Sequence, residues 1–147
     1  MISRVSKIQV DNYQDYIASS PQESISLAVP METNPFVLGL QKAAKESALA
    51  INVGIHVPMN NGKLANRCCW INEKGVIEAY YDKLHLFDYG SLKESNSVEA
   101  GKTIVAPVET VVGRVGLMIC FDVSASTFPA RVLNLVDTSS FDSQRSV

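Results

Sequence analysis

Ile51, Val53, Ile55 and Val57 alternate with Asn52, Gly54 and His56. A period of two over this length predicts a strand with one buried face. Just upstream the period is helical. Phe36, Val37, Leu40, Ala43, Ala44 and Ala48 fall near one face, with Gln41, Lys42, Lys45 and Glu46 largely opposite, which predicts an amphipathic helix over 35–48. Asn34 is placed to cap it, and Pro35 suits a first turn in which a missing N–H costs nothing. Asn60-Asn61-Gly62-Lys63 reads as a turn. Residues 67–72 and 76–81 read as a hairpin joined through Glu73-Lys74-Gly75. Short strands are expected at 103–107 and 109–112. A buried strand is expected at 114–121, where Val-Gly-Leu-Met-Ile-Cys-Phe is continuously apolar. Helix, strand, hairpin, loop and strands in this order predict an α/β layer architecture.

Between these elements the pattern fades. The first thirty-odd residues are polar, with Tyr13 and Tyr16 the only aromatics, and Ser19-Ser20-Pro21 is expected to break any helix there. Residues 86–102 hold Gly90, Ser91, Ser95, Asn96, Ser97 and Gly101. Loops of that length inside a compact domain are usually functional or disordered. Residues 123–147 include eight Ser or Thr and show no capped helix or alternating strand, so a poorly ordered tail is expected.

The chain has 147 residues, 46% of them hydrophobic, which is material for about one packed domain. Thirteen Lys and Arg against fifteen Asp and Glu give a net charge of −2, with no basic stripe to neutralise phosphates; nucleic acid is excluded as a main partner. The apolar run at 115–121 is far short of the ~18 residues of a membrane helix, and the polar N-terminus lacks the apolar core of a signal peptide; no membrane partner is expected. Three cysteines, two of them adjacent, make no disulfide framework and fit a reducing, cytoplasmic compartment.

Cys120 would close the apolar strand, where open α/β sheets place their ligands, although free cysteines commonly just pack. Lys83 lies among aromatics in Tyr80-Tyr81-Asp82-Lys83-Leu84-His85-Leu86-Phe87. A lysine there either reaches solvent or is held near an oxyanion. His85 reads as a structural hydrogen-bonding group, and His56 alternates with core residues without a metal signature. Glu94 and Glu99 read as solvated loop carboxylates. Cys68 and Cys69 have neither the spacing nor the histidines of a zinc site and read as strand residues facing opposite ways. No metal or cofactor is expected.

Three stretches change this picture when taken together. They are Tyr-Asp-Lys-Leu-His-Leu-Phe-Asp at 81–88, Leu-Lys-Glu-Ser-Asn-Ser-Val-Glu-Ala-Gly at 92–101 and Gly-Arg-Val-Gly-Leu-Met-Ile-Cys-Phe-Asp at 113–122. In this order and spacing they resemble the nitrilase superfamily of carbon–nitrogen hydrolases, over about residues 15–122. Glu-Ser-Asn-Ser resembles the branch acting as deaminated glutathione amidases. The resemblance implies a nitrilase-type αββα sandwich with a Glu-Lys-Cys site. In it Cys120 matches the nucleophile, Lys83 the lysine that stabilises the tetrahedral oxyanion, and Glu94 a second glutamate that orients lysine and substrate. It implies a small-molecule amide substrate, a thioester intermediate, and a homodimer as in the family. The implied substrate is an amide by-product of glutathione, cleaved to a 2-oxo acid and cysteinylglycine; an omega-amidase acting on 2-oxoglutaramate is the nearest alternative.

The chain departs from the family twice. Where members carry their first catalytic glutamate in a Pro-Glu pair, this sequence has Asn12 preceded by Asp11, shortly before Asp15-Tyr16-Ile17. Asparagine cannot shuttle a proton. After Asp122 the family continues Arg-Phe-Pro-Glu, whereas this chain runs Val123-Ser-Ala-Ser-Thr-Phe-Pro-Ala. The expectation is a partial hydrolase domain over 1–122, truncated at both ends and catalytically impaired, with a non-family tail over 123–147. The alternatives are an inactive remnant that binds ligand or pairs with a homologue, and a thiol protein working through Cys68, Cys69 and Cys120.

Overall fold

The computed structural model describes residues 9–11, 18–111 and 113–125, the first three by backbone alone. The expectations for Asn12, Tyr13, Asp15 and the tail from residue 126 lie outside the described residues.

Strand β1 (Gln9–Asp11) is followed by helices α1 (Pro21–Leu27) and α2 (Pro35–Ser47) and then by β2 (Ile51–Pro58), β3 (Leu64–Ile71) and β4 (Ile77–Asp82). The four strands form one sheet in the order β1-β2-β3-β4, with β1 parallel to β2 and the other pairs antiparallel. The predicted turn and hairpin both form. Met59 N donates to Lys63 O at 2.8 Å. At the hairpin, Asn72 Oδ1 accepts from the N–H groups of Lys74 and Val76 at 2.9 and 3.0 Å. Gly75 closes it with φ of 77°, and a Cβ there would lie 2.3 Å from the Gln41 carbonyl oxygen, so only glycine fits.

One face of the sheet carries the alternating set. Val53, Ile55, Val57, Ala65, Cys69 and Ile71 pack against Met31, Val37 and Ala44, with Leu40 at the edge. Asn34 caps α2 as expected, its Oδ1 accepting from Phe36 N at 2.9 Å. Gln41, expected on the exposed face, is instead half-buried and donates through Nε2 to Gly75 O at 2.8 Å.

The other face is covered too. Cys68, Trp70, Tyr81 and Leu117 form a second core, flanked by Ile104, Val105, Val108, Val115, Met118 and Ile119. Adjacent Cys68 and Cys69 thus face opposite ways, as their places in a strand dictate.

Four local expectations differ from the structure, the first being residues 103–107, which form no strand. Ser19-Ser20-Pro21 does not break a helix; it starts α1, with the Ser20 hydroxyl accepting from Glu23 N at 3.1 Å and Pro21 in the first turn. The segment at 86–102 is not wholly irregular. It contains the ribbon β5 (Asp88–Tyr89) and β6 (Leu92–Lys93) and a 3₁₀ turn, Glu94–Asn96. The strand expected at 114–121 is cut short. Only β8 (Gly113–Val115) pairs, with β7 (Val108–Thr110), and Cys120–Ser124 is a 3₁₀ turn. Apolar runs identify burial, but a strand also needs a neighbour to receive its backbone bonds. Ile119 instead gives its N–H to the Asp122 side chain at 3.0 Å. Among the described residues no helix is long and apolar enough to cross a membrane.

Candidate active site

The alternation of β2 predicts one buried face, but its polar positions are covered as well: Asn52, Gly54 and His56 line a cavity of about 690 Å³. Its wall continues through Asn66 and Cys68 of β3, Lys83 just after β4, Glu94 of the loop, and Cys120. Residues from five separate parts of the chain therefore meet at one concavity, Cys120, Lys83 and Glu94 among them.

Lys83 is held from both sides along its backbone. Its N–H donates to Asn66 O at 2.9 Å, and its carbonyl accepts from Gly101 N at 2.8 Å. Gly101 approaches so closely that a Cβ would lie 2.1 Å from Asp82 O, which explains the glycine. The Lys83 side chain is buried, only 3% exposed, and its Nζ sits 2.6 Å from Glu94 Oε2. The reading in which Lys83 reaches solvent is thereby overturned. It is a buried cation at a cavity wall.

Glu94 is not a solvated carboxylate. Besides Lys83, its Oε2 accepts from Phe87 N at 2.8 Å, and its Oε1 accepts from Asn66 Nδ2 at 2.9 Å. Burial by itself pushes its pKa up, but the Lys83 ammonium and the Phe87 and Asn66 donors outweigh burial and hold the carboxyl below the ordinary value. A carboxyl depressed in the folded state contributes stability above its unfolded pKa, and that contribution is lost as pH falls through the folded value. Glu94→Gln is therefore expected to flatten the fall in stability between about pH 5 and pH 3 while lowering stability at pH 7. Urea unfolding across that range measures it, and an unchanged acid limb would contradict it. Glu99, by contrast, accepts from Asn61 Nδ2 at 2.9 Å and is not part of the cavity lining.

Cys120 opens its 3₁₀ turn with φ of 47°, a left-handed conformation that costs a non-glycine residue about 1–3 kcal/mol. It is exposed, whereas Cys68 and Cys69 are buried. Burial pushes the Cys68 thiol up to about 11, against a smaller opposing effect of its hydrogen bond to Asn52. Burial pushes Cys69 up to about 12. Neither buried thiol is equipped as a nucleophile at neutral pH. Among the described residues no group of three or more His, Cys, Asp or Glu side chains could hold a metal ion.

Cys120, Lys83 and Glu94 stand out in the sequence, whereas Asn66 and Asp122 do not. Asn66 was detectable only as an uncharged polar residue on the cavity face of β3. Asp122 is fully buried, accepting from Tyr81 Oη at 2.8 Å and from His85 N at 3.0 Å; its Oδ1 also lies 2.9 Å from His85 Nδ1. His85 thus has the structural hydrogen-bonding place expected of it.

The family model described as carbon-nitrogen hydrolase matches residues 12–132. The chain belongs to the carbon–nitrogen hydrolase family. It is 33% identical over 128 residues to the Schizosaccharomyces pombe protein named "Probable hydrolase nit2", covering 82% of this chain and 45% of that one. It is 35% identical over 132 residues to the deaminated glutathione amidase of Mus musculus, covering 82% of this chain and 39% of the amidase. The chain thus spans less than half the length of these curated relatives. Among solved structures it resembles the C. elegans NitFhit protein, with a TM-score of 0.73 and 29% identity, covering 82% of this chain and 31% of that one. An amidase from Nesterenkonia sp. AN1, at 15% identity and a TM-score of 0.63, shares the fold over 75% of this chain and 41% of its own. The fold class expected from the sequence, a partial nitrilase-type αββα sandwich, agrees with these neighbours.

Proposed function

We propose that this chain carries the nucleophile, the oxyanion cation and the orienting glutamate of an amide-hydrolysing site of deaminated glutathione amidase type. The observation that supports it most is the single cavity shared by exposed Cys120 and the buried Lys83–Glu94 pair. In this reading the Cys120 thiolate attacks the amide carbonyl carbon, a C–S bond forms, and the carbonyl electron pair moves to oxygen. Lys83, fixed by Glu94, meets the negative charge that develops there. Collapse breaks the C–N bond, the amine leaves with a proton, and water then cleaves the thioester to release the acid and restore the thiol. Asn12, in the position matching the family's first catalytic glutamate, supplies no carboxylate for the proton transfers, so acylation is retained and amide turnover is impaired. The substrate is a small amide bearing a 2-oxo acid, with 2-oxoglutaramate as the second candidate.

Competitive alkylation with chloroacetamide followed by peptide mapping tests the assignment of the nucleophile. Cys120 is expected to label first, with Cys68 and Cys69 lagging about tenfold or more, because both are buried and their thiols are pushed up to about 11 and about 12. Labelling of Cys68 as fast as Cys120 would remove the nucleophile.

A further inference from the structure

Asp122 has no exposed surface, and the four donors aimed at its two oxygens come from two different pieces of chain. Oδ2 accepts from Tyr81 Oη at 2.8 Å and from Ile119 N at 3.0 Å. Oδ1 accepts from His85 N at 3.0 Å and lies 2.9 Å from His85 Nδ1. Tyr81 and His85 flank Lys83, each two residues away, while Ile119 immediately precedes Cys120. The Tyr81 hydroxyl also accepts from Leu84 N at 2.9 Å, which wraps the segment bearing Lys83 around the same phenol. A single buried carboxylate thus joins the turn that displays Cys120 to the segment that displays Lys83. Apolar contacts also join the two pieces, through Leu84, Met118 and Ile119 around Tyr81 and Leu117 and through Phe87 edge-on to Phe121, but the carboxylate adds directional bonds to both beside a Cys120 held in a strained left-handed conformation.

We propose that Asp122, with Tyr81 as its main anchor, is a positioning residue that sets the Cys120 turn against the Lys83 segment. It touches no substrate; it acts through the geometry of the two groups that do. A buried carboxylate suits this task because it accepts only, so all four donors converge on it. Its amide counterpart would set an N–H against a backbone donor whichever way it turned, His85 N on one side or Ile119 N on the other.

The inference rests on Cys120 being the nucleophile, and the test separates the two. Rates of chloroacetamide labelling are measured at Cys120 and at Cys68 in the same sample. Cys68, 5% exposed with its thiol pushed up to about 11, labels slowly in the folded protein and faster when the fold opens, so it reports folding within each variant. Tyr81→Phe removes the two hydrogen bonds of the hydroxyl, to Asp122 and from Leu84 N, and is expected to slow Cys120 about fivefold, with Cys68 unchanged. Asp122→Asn is expected to slow Cys120 about tenfold or more. Should Asp122→Asn expose Cys68, Tyr81→Phe decides alone. A Tyr81→Phe variant that labels Cys120 at the parent rate overturns the positioning role, whether or not Cys68 becomes more accessible. A parent protein in which Cys120 does not outpace Cys68 overturns the nucleophile itself, and the positioning role with it.

Discussion

Lys83→Met is expected to lose both stability and acylation, and the two losses have different causes. Methionine fills much of the volume of lysine but leaves the Glu94 carboxylate, with its hydrogen bonds from Phe87 and Asn66, facing no cation. Removing one partner of a buried ion pair typically costs about 3–5 kcal/mol, because the other charge stays desolvated. Acylation by an activated ester should slow by roughly 10²–10³, the usual cost of losing an oxyanion donor. Adding Glu94→Gln to Lys83→Met removes the stranded charge, so stability should largely return while acylation stays slow. Urea unfolding gives the first quantity and the rate of a single p-nitrophenyl ester acylation gives the second. A Lys83→Met protein that acylates at the parent rate would show that Lys83 is a structural cation only. The ester is the right probe here, since alkylation of the thiol develops no oxyanion.

The elements that the sequence made legible are those whose causes are local. The helix at Pro35–Ser47 was readable from its Asn34 cap and its apolar face, and β2 from strict alternation. The same capping logic was present at Ser20 and Pro21 and would have found α1, had Pro21 been read as a first-turn residue rather than a breaker. What stayed hidden depends on partners far along the chain. An apolar run at 114–121 cannot reveal whether a neighbouring strand receives its hydrogen bonds. Nor can Glu94, set among serines and an asparagine, reveal by itself that a lysine eleven residues earlier will bury against it. For these residues the motif order carried the expectation, and the cavity geometry supplies its physical basis. Asp122 shows the limit most clearly. Its neighbours in sequence are apolar or small, and its role exists only because Tyr81 and His85 fold onto it.

Asn12→Glu is expected to convert a site that acylates into one that turns over. Amide hydrolysis needs a proton delivered to the departing amine and later removed from the attacking water, and an amide side chain does neither. Placing a carboxylate at residue 12 should raise amide turnover by ~10²–10⁴, the ordinary contribution of a positioned acid–base group. β1 runs parallel to β2 and sets Asp11 opposite Val53, whose neighbours Asn52 and Gly54 line the cavity. The measurement is release of 2-oxo acid from deaminated glutathione by the parent and by Asn12→Glu, with Cys120→Ala added to each as the control. Ester acylation should change far less than amide turnover, because a p-nitrophenolate departs without a proton. Cysteine-dependent turnover already present in the parent would assign the shuttle to another carboxylate. Glu99 is poorly placed for that role, since it is bound to Asn61 outside the cavity lining, which leaves Asp11 and Asp15 as the groups to substitute next. No gain in Asn12→Glu, with Cys120 still acylating, would instead place the missing proton transfer outside residue 12 altogether.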